Sequence, residues 1–175
     1  MSASQEPLAP GELERVAVLE LKNKLPQQIS TDEISFLTNE ARAVVSALPS
    51  SHFVVMTRES LEALIEPGKT LEDCVGTCEV ETGRLLGAQW IITGEVVRFG
   101  SSLRVSLKLH NTRTGQLISG ASLKGSKVED LERPIKLETL RLTRAISPYL
   151  AQRLSEVAGD DLSRQLEALQ MGKVR

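Results

Sequence analysis

Cys74 and Cys78 are the two cysteines of this 175-residue chain, and with His52 and His110 they are its obvious candidates for chemistry. The cysteines stand in the turn-like run Asp73-Cys74-Val75-Gly76-Thr77-Cys78. Two thiols without a nearby histidine cannot fill a tetrahedral zinc shell, and His52 and His110 fall in distant segments that read as strand edges. Three intervening residues also miss the redox spacing C-x-x-C. Two readings stay open: a disulfide closing this short loop, or a pair of free, partly buried thiols. The disulfide is the preferred expectation. Closing so short a loop is worth only about 2 kcal/mol of chain entropy, so its role would be local pinning. A disulfide would also imply an oxidising compartment, and hence export.

The other candidates resolve into structural roles. Neither histidine comes with a G-x-S-x-G elbow or a comparable surround for a nucleophile. His110 reads as a solvated strand residue on a wet face. Gly83-Arg84-Leu85-Leu86-Gly87 lacks phosphate-loop spacing, and Gly87 ends a helix where a phosphate site would start one. The acidic pairs Asp32-Glu33 and Asp160-Asp161 stand at helix starts, where the helix dipole accounts for them. Glu79 and Glu81 show no spacing suited to calcium or to acid–base work. No catalytic, metal-binding or cofactor-binding residue is expected, and no cofactor.

The elements that would carry these residues follow from periodicity. Residues 1–12 form a lead-in with Pro7, Pro10 and Gly11. Arg15 to Leu21 reads as a first strand, apolar on both faces and so central in a covered sheet; Lys22 to Gln28 reads as a loop. Ser30-Thr31-Asp32-Glu33 has the capping-box form and opens a helix whose apolar face is Ile34, Leu37, Ala41, Val44, Val45 and Leu48. Phe53–Met56 is a short buried strand. A second helix follows a Thr57/Ser60 cap, carries Leu61, Leu64 and Ile65, and stops at Pro67-Gly68.

Val80, Leu85 and Leu86 mark a third helix that closes on Gly87. The strand Trp90–Phe99 is interrupted by Gly94, which suggests a bulge or a close backbone approach. Leu103, Val105, Leu107 and Leu109 then alternate with Arg104, Ser106, Lys108 and His110, a half-buried antiparallel strand with one wet face. A turn at Asn111 to Gly115 returns the chain along Gln116 to Leu123. From Val128 the pattern is helical, with Pro148 expected to kink or split it. Asp160 caps a last amphipathic helix carrying Leu162, Leu166 and Leu169. That helix either folds back on the domain or mates with a partner.

The order of elements argues for one α/β (α+β) domain over residues 13–158, followed by the amphipathic helix 159–175. Its mixed sheet has about five strands, ending in an antiparallel meander, with helices packed on it. Apolar residues at 41% and charged residues at 25% are ordinary globular usage, which argues against disorder. A net charge of −2, aromatics at 3% and no basic block argue against nucleic-acid binding. No apolar run reaches the length of a transmembrane span. Arg104 and Lys108, with Arg98 nearby, could attract an acidic partner, although a solvated face explains them more simply.

Three segments carry a family resemblance: Ala17-Val18-Leu19-Glu20, the strand Gly87-Ala88-Gln89-Trp90-Ile91-Ile92-Thr93-Gly94-Glu95-Val96, and Leu107 to Leu117 with its Asn111-Thr112-Arg113-Thr114-Gly115 turn. Over roughly residues 14–125 the chain resembles the periplasmic TolB N-terminal-like domains and the related CsgG-like and FlgO-type lipoprotein domains. Those share a G-A-x-x-(I/V)-(I/L)-x-G strand and a D-x-x-T-G turn, and here Asn111 stands where Asp is commoner.

The resemblance implies an exported, envelope-associated, non-enzymatic domain whose signal peptide has been removed, periplasmic or outer-membrane-associated rather than cytoplasmic. No lipobox cysteine stands near its start. No long alternating insertion separates its strands, which argues against the pore-lining hairpins of curli-type members, and the β-propeller of TolB is missing. The expected partner is another envelope protein or a second copy of the chain, met through Arg98, Arg104, Lys108, Leu162, Leu166 or Leu169. The leading expectation is an adaptor or scaffold. The alternatives are an oligomerising subunit of an envelope secretion or outer-membrane assembly, and a small-ligand-binding protein.

Overall fold

A computed structural model describes residues 13–48, 50, 53–64 and 78–146. Several expectations fall outside those residues: the lead-in, His52, the Pro67-Gly68 stop, the cysteine loop with its disulfide, the Pro148 kink and the helix of Leu162, Leu166 and Leu169. The described chain runs β1 (Glu14–Val18), β2 (Lys22–Asn23), α1 (Thr31–Val45), β3 (Phe53–Met56), α2 (Arg58–Leu64) and α3 (Cys78–Leu85). The meander β4 (Trp90–Phe99), β5 (Ser102–Asn111) and β6 (Leu117–Gly125) follows, then a 3-10 turn at Val128–Leu131 and α4 (Glu132–Thr143).

The sheet is mixed and six-stranded, in the order β3-β1-β4-β5-β6, with β2 beside β4. β1 runs parallel to β3 and to β4, whereas β4, β5 and β6 are mutually antiparallel. β1 is central as its apolar pattern requires, with Val16, Ala17 and Val18 fully buried. It ends three residues earlier than expected, at Val18, and β2 lies in what reads as a loop. Two side chains of α1 explain the break. Arg42 donates from Nε and Nη2 to the Val18 carbonyl at 3.1 and 3.0 Å, and Thr38 Oγ1 accepts from the Leu21 N–H at 3.2 Å. Strand backbone groups freed at the kink are thereby satisfied without a neighbouring strand.

The capping box forms as read: Ser30 Oγ accepts from the Glu33 N–H at 3.2 Å and Glu33 accepts from the Ser30 N–H at 2.7 Å. These bonds hold the Glu33 carboxyl below its usual range, the Ser30 backbone bond first. Ile34, Leu37, Ala41 and Val45 then face one side of the sheet, joined there by Leu131, Ile135 and Leu142 from the α4 region. The other side is covered by a smaller cluster in which Leu61 and Leu86 meet Ala17, Leu19, Met56 and Ile91.

Three expectations change. Phe53–Met56 is an edge strand among the described residues and is buried only in part, with Phe53 and Met56 in the core and Val54 41% exposed. Helix α3 ends at Leu85, so Leu86 stands just past it; Leu85 points to solvent and Leu86 enters the core. Gly94 does not interrupt β4, whose register with β5 is continuous from Trp90 to Phe99. Close approach is its reason: a Cβ there would lie 2.5 Å from the Ser106 carbonyl oxygen and 2.7 Å from Leu21 Cδ2. The irregularity lies instead between β5 and β6, at Leu109/His110. Gly87 has φ +68°, the left-handed helix stop its position predicts.

Candidate protein-docking surface

Alternation along the meander assigns its side chains to two faces. Leu103, Val105, Leu107 and Leu109 of β5 enter the larger core, together with Leu123 of β6. The alternate residues Arg104, Ser106, Lys108 and His110 look the other way. Register places Lys124 opposite Arg104, Ser122 opposite Ser106, Gly120 opposite Lys108 and Leu117 opposite His110. Among the described residues, none of β5 or β6 joins the apolar cluster of α2 and α3, and α3 reaches β5 only through polar contacts around Glu79. On β6 the positions Leu117, Gly120, Ser122 and Lys124 are all exposed.

The expected trio of cations is split by the register. Arg104 and Lys108 share the open face, but Arg98 stands opposite Leu103 and so belongs to the other face. There Arg98 Nε donates to Gln28 Oε1 at 2.9 Å. Lys124, which carries no motif of its own, takes its place beside Arg104. Only strand parity could have found it. Arg104 Nε is buried with no hydrogen-bond partner.

Where α3 meets the open face a polar cluster forms. Glu79 accepts from Lys22 Nζ at 3.2 Å through one oxygen and from Thr93 Oγ1 at 3.0 Å through the other. The depression bounded by these residues with Glu95, Ser106 and Lys108 encloses about 20 Å³, room for one water and far below a metabolite site. His110 is not the solvated residue its strand suggests. It is half-buried with Nδ1 unpartnered, and its pKa is lowered chiefly by burial, with Lys108 adding to the shift and Glu79 opposing it. The neutral imidazole is the favoured form. Among the described residues no group of three His, Cys, Asp or Glu side chains could hold a metal ion. No helix there is long and apolar enough to cross a membrane.

Comparison with known proteins places this architecture. The family model for the curli production assembly/transport component CsgG matches residues 1–107, more than half of the chain. The chain belongs to the CsgG family. The CsgG match ends within β5, so β6 and α4 lie beyond it. No curated protein matches the sequence. Among solved structures, the LpoB C-terminal domain from Salmonella enterica superposes with a TM-score of 0.51 at 15% identity, over 68% of this chain and 88% of that one. TolB from Acinetobacter baumannii gives 0.50 at 11% identity, over 80% of this chain but 30% of TolB. Lipoprotein GNA1162 from Neisseria meningitidis gives 0.47 at 13% identity, over 79% of this chain and all of that one (100%). At these identities the first two describe a shared fold, which includes the TolB type anticipated from the Gly87–Val96 strand.

Proposed function

We propose that this protein is a non-enzymatic protein-interaction module of the cell envelope, an adaptor or scaffold that works through its surface. Membership of the CsgG family, described as an assembly and transport component of curli production, is the observation that carries this reading. The face of β5 and β6 supports it, because no apolar helix packing covers it among the described residues, and a sheet face left so is available to another chain. Export belongs to the same reading: a periplasmic or outer-membrane-associated location, with Cys74 and Cys78 joined as a disulfide. Cross-linking from a photoreactive residue at Ser122, in the native cell, tests it. A discrete adduct with an envelope protein is expected, in the periplasmic or membrane fraction. A chain found wholly in the cytoplasm, with no adduct, would refute the proposal.

A second reading, an oligomerising subunit of an envelope secretion or outer-membrane assembly, fits the family's description as an assembly and transport component. In that case the amphipathic stretch of Leu162, Leu166 and Leu169 would be the mating surface. Sedimentation of the full chain and of one ending at Gly159 separates the readings. A monomer in both removes self-assembly.

A further inference from the structure

We propose that β6 accepts an acidic, extended segment of a partner protein as an added strand, with Lys124 and Arg104 binding its carboxylates. The proposal rests on the protein-interaction reading and deepens it by naming the surface and the partner's chemistry. β6 ends the sheet, and β5 is its one strand neighbour among the described residues. Along such an edge the outward N–H and C=O groups form a template for another strand. Edges are commonly guarded by brevity, proline or charge. The opposite edge, β3, has only 4 residues. β6 has 9, contains no proline and bears no charge from Leu117 to Leu123. Its single bulge lies at the Leu117 end and leaves the remainder regular. Leu117 and Ile118 are 57% and 37% exposed, and Gly120 offers bare backbone.

The charge on this face fixes what the incoming strand carries. Arg104 and Lys124 are direct cross-strand neighbours, a like-charged pairing that is unfavourable in isolation. Among the described residues no hydrogen bond or ion pair joins either to a carboxylate, and Lys108 two positions along β5 has none either. The open-face carboxylate of β4, Glu95, stands opposite Ser106, on the far side of β5 from β6. A strand laid along β6 sets alternate side chains beside Leu117, Gly120, Ser122 and Lys124. A carboxylate next to Lys124 comes within reach of the terminal guanidinium nitrogens of the long Arg104 side chain. Self-pairing of two β6 strands about a two-fold axis normal to the sheet would instead put both sets of cations on one continuous face. A lipid surface would leave the edge N–H groups unanswered.

The probe is an acetylated, amidated heptapeptide alternating Glu and Val, with its Lys-for-Glu counterpart as control. Both are titrated to millimolar concentration into the isotope-labelled full chain and followed by amide hydrogen exchange. The Glu peptide is expected to bind, to slow exchange at alternate residues of β6, and to weaken as salt rises. Lys124→Glu should weaken it at least tenfold and admit the Lys peptide, while unchanged β4–β5 protection shows that the sheet is intact. Equal binding of both peptides, or protection elsewhere than β6, overturns the proposal. So does concentration-dependent β6 protection without peptide, which signals self-pairing, or binding to anionic phosphatidylglycerol vesicles with none to peptide. Failure here alongside an envelope adduct from Ser122 would sink this inference alone. Loss of both would sink the interaction reading as well.

Discussion

Arg42 shows how one side chain can decide where a strand ends. It is 8% exposed, donates twice to the Val18 carbonyl and once to Asn39 Oδ1, and lies 3.6 Å from Glu20. The apolar stripe of α1 places it one turn beyond Thr38 and two beyond Ile34, so the helical spacing held the clue, but a charged residue there reads as solvent-facing. Replacement by Met keeps the packing and abandons the carbonyl, a loss of about 1–3 kcal/mol, to be measured by urea unfolding. His110 makes a second residue-scale prediction. Its folded pKa lies below the ordinary value, so the unfolded chain takes up the proton more readily. Its contribution is fully present above the unfolded pKa of about 6.5 and is lost as pH falls through the folded value. His110→Gln should flatten that acid limb of the stability curve. An unchanged slope would remove the assignment.

At the scale of elements, the sequence was most legible where local chemistry acts alone. The Ser30/Glu33 box, the Gly87 stop and the β5 alternation of Leu103 to Leu109 each depend on near neighbours, and each stands where its pattern puts it. Gly94 was legible only in part. A glycine in a strand signals either an irregularity or crowding, and only the neighbouring strand reveals which. Gly94→Ala should be among the most damaging single-atom additions in the molecule, because the added methyl meets the Ser106 backbone and Leu21 together. A loss of about 1–3 kcal/mol is expected from overpacking a site that cannot yield, read as a lowered thermal midpoint. A neutral substitution would show that β4 and β5 can part more freely than their register implies.

For the whole molecule, the distribution of helices over the sheet matters most. α1 and α4 fill one face, while among the described residues the apolar packing of α2 and α3 on the other is confined to the β3-β1-β4 half. The Cys74–Cys78 link proposed above would pin the loop that leads into α3. Thiol labelling of denatured protein purified without reductant should find no reactive cysteine until a reductant is added. Two reactive thiols beforehand would remove the link and weaken the case for export. The sequence alone determined the order of the longer elements, the aliphatic core and the family-bearing strand, because caps, turns and apolar periods act over a few residues. Which cations share a surface was decided only by tertiary structure. Arg98 and Arg104 look alike in the linear chain, yet strand parity and register send them to opposite faces and bring Lys124 to Arg104 from twenty residues away.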